Sequence, residues 1–544
     1  MSAVTTISPG LLDAALATAE PFRPDRVAEL DRTETFPTDA VRLLDELGVP
    51  DWYVPARFGG ASTDHTQLVE VVRTIARHDL TAAIAHAKTY LGAVCVWVAG
   101  DPERAERLGA RIRAGAVVSW ALTERGHGSD LVAGELTATE CPDGYRLDGE
   151  KWPINNATRA GTVCVLARTS ADAGARGHSL FLVDKDRLAP GSYRTLPKAR
   201  THGIRGADIS GIAFDGAVVP PEALVGRPGA GLEIVLKALQ LTRVMAAGLS
   251  LGAVDHAREL TLRFVREREL YGRRLIELPH VRRSFGEISA AALVAESVVL
   301  FAGRAAGALT GEMSVYSAVA KALAPTLVDE AIARCGELLG ARAFLTTVYA
   351  DGAFQKLERD HRIVGIFDGN TFVNRHSLIT QFPRLVAGWR QRVRDVAGLR
   401  GVEVGAGLHG VEVGAPTDPG RLELFSRTGC SLVQSLPFLV EQVRTTAPES
   451  VVRLAAYVLD AAERLHDEMA ALPPQGVTAG VEAFDLARRY EWCLAAAAVL
   501  HRWSAEPARP ELAATLALIV DRIGGHRPDP AAFDRLTDDL KELS

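Results

Sequence analysis

Asp368 stands in the stretch GIFDGNTFVNR, residues 365–375, between apolar residues and a glycine. Asp-Gly-Asn reads as a tight turn, because glycine tolerates positive φ and the Asp and Asn side chains bond their own backbone. A carboxylate in such a place has a second use: it can act as a general base if a proton comes within hydrogen-bond reach. The six cysteines, Cys95, Cys141, Cys164, Cys335, Cys430 and Cys493, form no CxxC pair, and no HExxH is present. Buried reduced thiols are therefore expected rather than a zinc site or a disulfide framework. Ser129-Asp130, at the end of GHGSD, reads on its own as a helix cap or a turn.

Three textures position these residues. Residues 10–115 read as helices. Phe36-Pro37-Thr38-Asp39 opens one that stops at Gly48, and further helical patterns lie near 65–78, 82–99 and 102–114. Near 117 the pattern changes to short strands. VVSWALTE reads as a strand, and ELTATE, Cys141-Pro142-Asp143-Gly144 and YRLDGEK read as a hairpin; TVCVLART, HSLFLVDK and ISGIAFDGAVV add more strands. They predict a small antiparallel barrel or sandwich. From 231 the long apolar-periodic helices return, near 279–308, 315–339 and 371–395, as in an antiparallel bundle. The repeat GVEVGA at 401–406 and 410–415 reads as a linker or short hairpin. Beyond it, Thr446 is expected to cap a helix with Pro448 in its first turn, whose apolar face runs through Val452, Ala455, Leu459, Ala462, Leu465 and Met469. The expected domains are 1–116, helical; 117–228, β; 229–395, helical bundle; 396–418, linker; and 419–544, C-terminal helical.

With 544 residues the chain is too long for a single core. The net charge is −6, and residues 393–544 hold 15 Lys and Arg against 22 Asp and Glu, which argues against nucleic-acid binding. The N-terminus lacks a basic region followed by a continuous apolar one, and no run approaches about 18 uninterrupted apolar residues. A cytoplasmic protein without a membrane span is the expectation.

WALTERGHGSD (120–130) resembles the TEPxxGSD signature of the acyl-CoA dehydrogenase superfamily, and GEKWPINNA (149–157) resembles its G-x-K-x-W-I-[TS]-N-[GA] motif. LTRVMAAGLSLGAVDHA (241–257), RELYGRRL (268–275), CGELLGARAF (335–344) and RDHRIVGIFDGNT (359–371) follow in the family's order and spacing. The resemblance covers residues 30–390. It implies a helical domain, a β domain and a four-helix bundle, here with a C-terminal helical extension. It also implies bound FAD and oxidation of an acyl thioester, on CoA or an acyl-carrier protein, to its trans-2-enoyl form. A carboxylate removes the α proton while flavin N5 takes the β hydrogen as hydride. By that resemblance Asp368 matches the base, and its backbone N–H helps bind the thioester oxygen. Arg243 matches the arginine beside the base and keeps it ionised; otherwise it is a helix-packing arginine. Trp120, Leu122 and Thr123 match the segment along the isoalloxazine. Gly128 and Ser129 match positions at the pyrophosphate, and Asn155 falls in the second motif of the cofactor set. Arg268 and Tyr271 match positions that reach FAD across a subunit interface, in a homodimer or homotetramer. Glu337, Gly340 and Asn370 match further FAD contacts. An electron-transferring flavoprotein or oxygen is the implied acceptor.

The departures fall at functional positions. Asp368 replaces a Glu, losing about 1.5 Å of reach. Pro153 stands where a flavin-flanking Trp is expected, with Trp152 one place earlier. Pro279 replaces a frequent Gln, Gly340-Ala341-Arg342-Ala343 replaces a GGxG loop, Asn370 replaces Thr, and Phe372 replaces a polar residue. Nitroalkane oxidases of the same superfamily use Asp as base, so a flavin oxidase or monooxygenase is the alternative activity, together with acyl-carrier-protein substrates of secondary metabolism. A non-catalytic flavoprotein is the third reading.

Overall fold

A computed structural model describes residues 6–171, 174–392, 394–400, 402, 415–473, 475–476, 478–504, 506–524 and 529–542. They form two compact units. The first comprises Met1–Thr63, Glu70–Thr242 and Asp418–Leu424; the second comprises Asp64–Val69, Arg243–Thr417 and Phe425–Ser544.

In the first unit the helix Leu80–Ala99 is capped by Asp79, whose carboxylate accepts from the Thr81 and Ala82 N–H groups, and it ends at left-handed Gly100. Residues 80–98 of it are buried, which its apolar composition requires. Eight strands follow: β1 (Val118–Ala121), β2 (Thr137–Cys141), β3 (Gly144–Asn155), β4 (Thr162–Arg168), β5 (His178–Asp184), β6 (Tyr193–Leu196), β7 (Ile209–Val219) and β8 (Leu224–Val225). The expected Cys141–Gly144 hairpin joins β2 to β3. The sheet runs β6-β7-β3-β2-β4-β5-β8, with β1 on β4. It departs from the expected antiparallel pattern where β1 lies parallel to β4, and β2 meets β4 parallel at Thr137 and Arg168. Strands β6 and β8, two and four residues short of six, were too brief to show a period. Leu147, Ile154, Val163, Val165, Phe181, Val183, Ile212 and Phe214 fill the core.

The second unit holds the helix Gly231–Glu267 from Arg243 onward, then Pro279–Ala308, Met313–Leu339 and Ala353–His361. Pro279 takes the first turn of its helix, where a missing N–H costs nothing. The single helix expected over 371–395 is two, Thr371–Ile379 and Phe382–Gln391; Pro383 lies in the first turn of the second. The helices of the C-terminal extension belong to this same unit. Thr446 does not cap the next helix: its hydroxyl bonds the Gln442 carbonyl, and Pro448 precedes a helix of Glu449–Ala471. The buried face of that helix runs through Val451, Ala455, Val458, Ala462, Leu465 and Met469, with Val452 and Leu459 only half buried. Apart from Val402 and Ala415, the GVEVGA repeat lies outside the described residues.

Leu80–Ala99, Gly231–Glu267 and Pro279–Ala308 are each long and apolar enough to cross a membrane, although no uninterrupted apolar run marked them; their most apolar windows are 94%, 89% and 89% buried within the protein. All six cysteines are free, five of them buried and Cys141 half buried.

His466 stacks on Trp389, with ring centroids 4.4 Å apart and planes 9° from parallel. Its Nδ1–H donates to the Ala462 carbonyl at 2.6 Å. Burial pushes its pKa down to about 4. In the unfolded chain it titrates near the usual value of about 6.5. Between these values only the unfolded chain holds the proton, so the stability is complete above about pH 6.5 and is lost as pH falls toward 4. The loss is about 3 kcal/mol. Urea titrations of His466→Phe from pH 7 to 4 are expected to show a pH dependence smaller by about one proton.

Candidate active site

In the first unit, Trp120 lies in β1, and the residues of the TEPxxGSD-like segment that follow, expected at the cofactor, start against the end of β3. Lys151, 2% exposed, donates its Nζ to the Leu122 carbonyl at 2.9 Å and to Glu124 Oε1 at 2.8 Å. Glu124 also accepts from the N–H groups of Glu135 (2.6 Å) and Leu136 (3.0 Å). Burial would raise the Glu124 carboxyl, but these donors outweigh it and hold its pKa below the usual range. The Trp152 N–H donates to the Thr123 carbonyl at 2.9 Å, and the Thr123 hydroxyl to the Pro153 carbonyl at 3.2 Å. Residues 122–124 are thus tied to residues 151–153 by four bonds.

The displaced tryptophan has a structural answer. Lys151 faces Ile212 and Ile154 faces Ser210, so β3 spends three steps where β7 spends two. This is a one-residue bulge at Trp152-Pro153, and it lets Lys151 and Ile154 both point inward although they are three apart. Trp152 is half buried, with the Arg125 guanidinium 4.4 Å over its ring.

Beyond the bulge, Asn155 keeps a buried Oδ1 without a hydrogen-bond partner among the described residues, and its carbonyl accepts from Ser119 at 2.7 Å. Trp120, Leu122 and Thr123 are half buried. Gly128 and Ser129 form an exposed turn where a Cβ on Gly128 would meet nothing within 4 Å. Asp130 follows as the cap of a short helical turn, Leu131–Ala133, as its residue type predicts. An orphaned amide oxygen and an open glycine turn fit a cofactor with hydroxyl donors and a phosphate group.

In the second unit, Asp368 is in the left-handed region at φ 56°, followed by Gly369 at φ 89°. Asp tolerates that conformation better than most residues, and at Gly369 an added Cβ would press on Asn374, Val373 and Arg243 at 3.3–3.4 Å. Asn370 then caps Thr371–Ile379, its Oδ1 accepting from the Val373 N–H at 2.9 Å. The main chain of the turn is clamped from outside. Arg243 Nε donates to the Asp368 carbonyl at 3.2 Å, and Lys321 Nζ to the Gly369 carbonyl at 3.2 Å. Asn374 Nδ2 reaches the carbonyls of Gly369 (2.8 Å) and Asn370 (3.0 Å). Arg243 is 7% exposed and Lys321 fully buried. Burial lowers the Arg243 pKa to about 10, against the pull of the Asp368 charge, so it stays cationic at neutral pH. Asp368 Oδ2 is buried and accepts no hydrogen bond among the described residues, and the Asp368 N–H makes none either.

The remaining positions gather elsewhere in that unit. Arg268 leads into a two-stranded hairpin, β9 (Glu269–Leu270) and β10 (Arg273–Arg274), turned by Tyr271 and Gly272, both at positive φ. Tyr271 is 94% exposed. Gly340, at φ 59° and ψ −138°, ends the helix Met313–Leu339, on which Glu337 is exposed. The conformation is glycine's, and Ala341–Phe344 then make one helical turn rather than an open loop. Arg342 of that turn lies 5.3 Å from the Phe264 ring, four residues before Arg268. Lys321, Asn374, Lys151 and Glu124 were not singled out from sequence; a lysine amid the small apolar residues of VYSAVAKALAP was the available signal for the first.

Models of the acyl-CoA dehydrogenase N-terminal, middle and C-terminal domains match residues 11–116, 119–217 and 229–381. The chain is similar to probable acyl-CoA dehydrogenase FadE25 of Mycobacterium tuberculosis, 27% identical over 363 residues, covering 66% of this chain and 92% of that one. It is also similar to cyclohex-1-ene-1-carbonyl-CoA dehydrogenase of Syntrophus aciditrophicus, 26% identical, covering 64% and 83%. Among solved structures, an acyl-CoA dehydrogenase complexed with FAD from Bacillus anthracis shares the fold over 98% of this chain and 89% of that one, with TM-score 0.70 and 18% identity. The prolyl acyl carrier protein oxidase AnaB does so over 68% and 96%, with TM-score 0.61 and 19% identity. The three family segments in order, and the fold around them, show that the chain is a member of the acyl-CoA dehydrogenase family of FAD-dependent oxidoreductases.

Proposed function

We propose that this protein dehydrogenates an acyl thioester between its α and β carbons, with Asp368 as the base. The observation that carries the reading is the buried Oδ2 of Asp368, without a hydrogen-bond partner among the described residues, on a turn whose carbonyls accept from buried Arg243 and Lys321. The thioester oxygen accepts from the Asp368 N–H, which sharpens the acidity of the α carbon. Oδ2 takes the α proton. Arg243, cationic at neutral pH, holds the main-chain carbonyl of the same residue and so fixes where the carboxylate starts. When bound, FAD supplies the hydride acceptor for the β hydrogen. Leu122, Thr123, Gly128, Ser129 and Asn155 are the residues we assign to hold it. Arg268 and Tyr271 project on an exposed hairpin, which suits a reach to the cofactor of a second copy in a homodimer.

An acyl-carrier-protein thioester is the second substrate class, because the neighbour AnaB is a prolyl acyl carrier protein oxidase. The shorter base favours testing a nitroalkane as well, whose α carbon is already acidic. The test is anaerobic mixing of the FAD-loaded protein with butyryl- to palmitoyl-CoA, acyl-carrier-protein thioesters and nitroethane. Bleaching of the flavin by a thioester, with the trans-2-enoyl product, is the expected result. Bleaching by nitroethane alone would replace the thioester reading by the oxidase one, and bleaching by none would leave a non-catalytic flavoprotein. An electron-transferring flavoprotein is the acceptor we expect on reoxidation; fast peroxide formation in air would point to oxygen.

A further inference from the structure

The helix that begins at the Asp368 turn is gripped by the C-terminal extension. On Thr371–Ile379, Arg375 donates through Nε and Nη2 to Glu491 Oε1 and Oε2 at 2.8 and 2.9 Å, a two-bond fork. Glu491 lies 116 residues further along the chain and is 1% exposed. Phe372 meets Phe484 edge to face, with centroids 6.1 Å apart, and His376 Nε2 donates to the Gly476 carbonyl at 3.2 Å. Residues 372, 375 and 376 share one face of their helix. Residues 484 and 491, seven apart, share one face of Val481–Trp503. That second helix is itself anchored, because Arg502 donates to Glu296 at 2.7 Å in a buried pair.

The turn and the helix form one body. Asn370 caps it, and Asn374 reaches back to the carbonyls of Gly369 and Asn370. A shift of the helix along its axis therefore carries Asp368 with it. A base displaced by about 1 Å loses on the order of a hundredfold in rate, and a carboxylate one methylene short has no slack to recover that reach. We propose that Glu491, through Arg375, is a positioning residue for the Asp368 base, so that the C-terminal extension sets the rate of α-proton removal. This rests on the assignment of Asp368 as base.

The test uses the full-length, FAD-loaded protein and the acyl-CoA of the butyryl-to-palmitoyl panel that bleaches wild-type flavin fastest. Glu491→Gln keeps the shape but removes the charge. Phe484→Leu loosens the same face without stranding a charge, and so decides the matter if Glu491→Gln does not fold. The expected result is a limiting rate of flavin reduction about tenfold lower in Glu491→Gln and severalfold lower in Phe484→Leu. FAD content and the spectral Kd for the acyl-CoA should hold, while the isotope effect with α-deuterated substrate rises. Arg375→Lys, which keeps a cation, should retain more rate than Arg375→Met. A limiting rate within twofold of wild type in the folded variants, with only a lowered melting temperature, would reduce the pair to a structural tie and overturn the proposal. If Asp368→Asn is inactive in that case, the base assignment survives; if Asp368→Asn reduces flavin normally, the base assignment itself fails.

Discussion

Asp368→Asn is expected to slow flavin reduction by an acyl thioester by on the order of 10³-fold or more, the scale of a lost general base. Asn has nearly the same shape and tolerates the left-handed φ of 56° that position 368 requires. The bonds from Arg243 and Lys321 go to main-chain carbonyls, so they survive the substitution. The protein should therefore fold, bind FAD and bind the thioester, and fail at proton removal alone. Stopped-flow bleaching, alongside the flavin spectrum and the charge-transfer or binding shift with substrate, separates these steps. Reduction at the wild-type rate would show that another group takes the proton.

The largest stability effect is expected at Lys151→Met. The substitution leaves Glu124 buried with only the Glu135 and Leu136 N–H groups to answer its charge. Breaking one side of a buried pair costs about 3–5 kcal/mol. The Leu122 carbonyl loses its donor at the same time, so the segment of Leu122 and Thr123, which we assign to the cofactor, loses a tether. A lower urea midpoint and a lower FAD content after gel filtration are expected together. Lys151→Met with Glu124→Gln should recover much of the midpoint, because no buried charge then stands alone. A loss under about 1 kcal/mol in the single variant would mean that Glu124 finds its compensation elsewhere.

Much of the fold was legible because its signals are local. Gly48 in the left-handed region after Thr38–Glu46, and Cys141–Gly144 turning β2 into β3, are turn chemistry written in adjacent residues. The Asp368 turn belongs with these, whereas Asn370, expected at the cofactor, turned out to cap the next helix. The parallel pairing of β1 with β4 was not legible, since a four-residue strand carries no sign of its partner's direction. Nor was the outcome at Trp152-Pro153. Alternation predicts Lys151 and Pro153 on one face, and only the pairing of β3 with β7 shows that a bulge absorbs the extra residue. Glu491 gives no local sign of its role, because its partner Arg375 comes from a helix 116 residues earlier.

The way Arg243 and Lys321 seize the turn has a consequence for how the site can drift. Their hydrogen bonds go to the carbonyls of residues 368 and 369, which every amino acid carries, rather than to the carboxylate. The turn is thus a socket wired through its backbone, and the side chain is a replaceable plug. A lineage could exchange a longer acid for a shorter one at 368, retune its substrate, and leave the socket untouched.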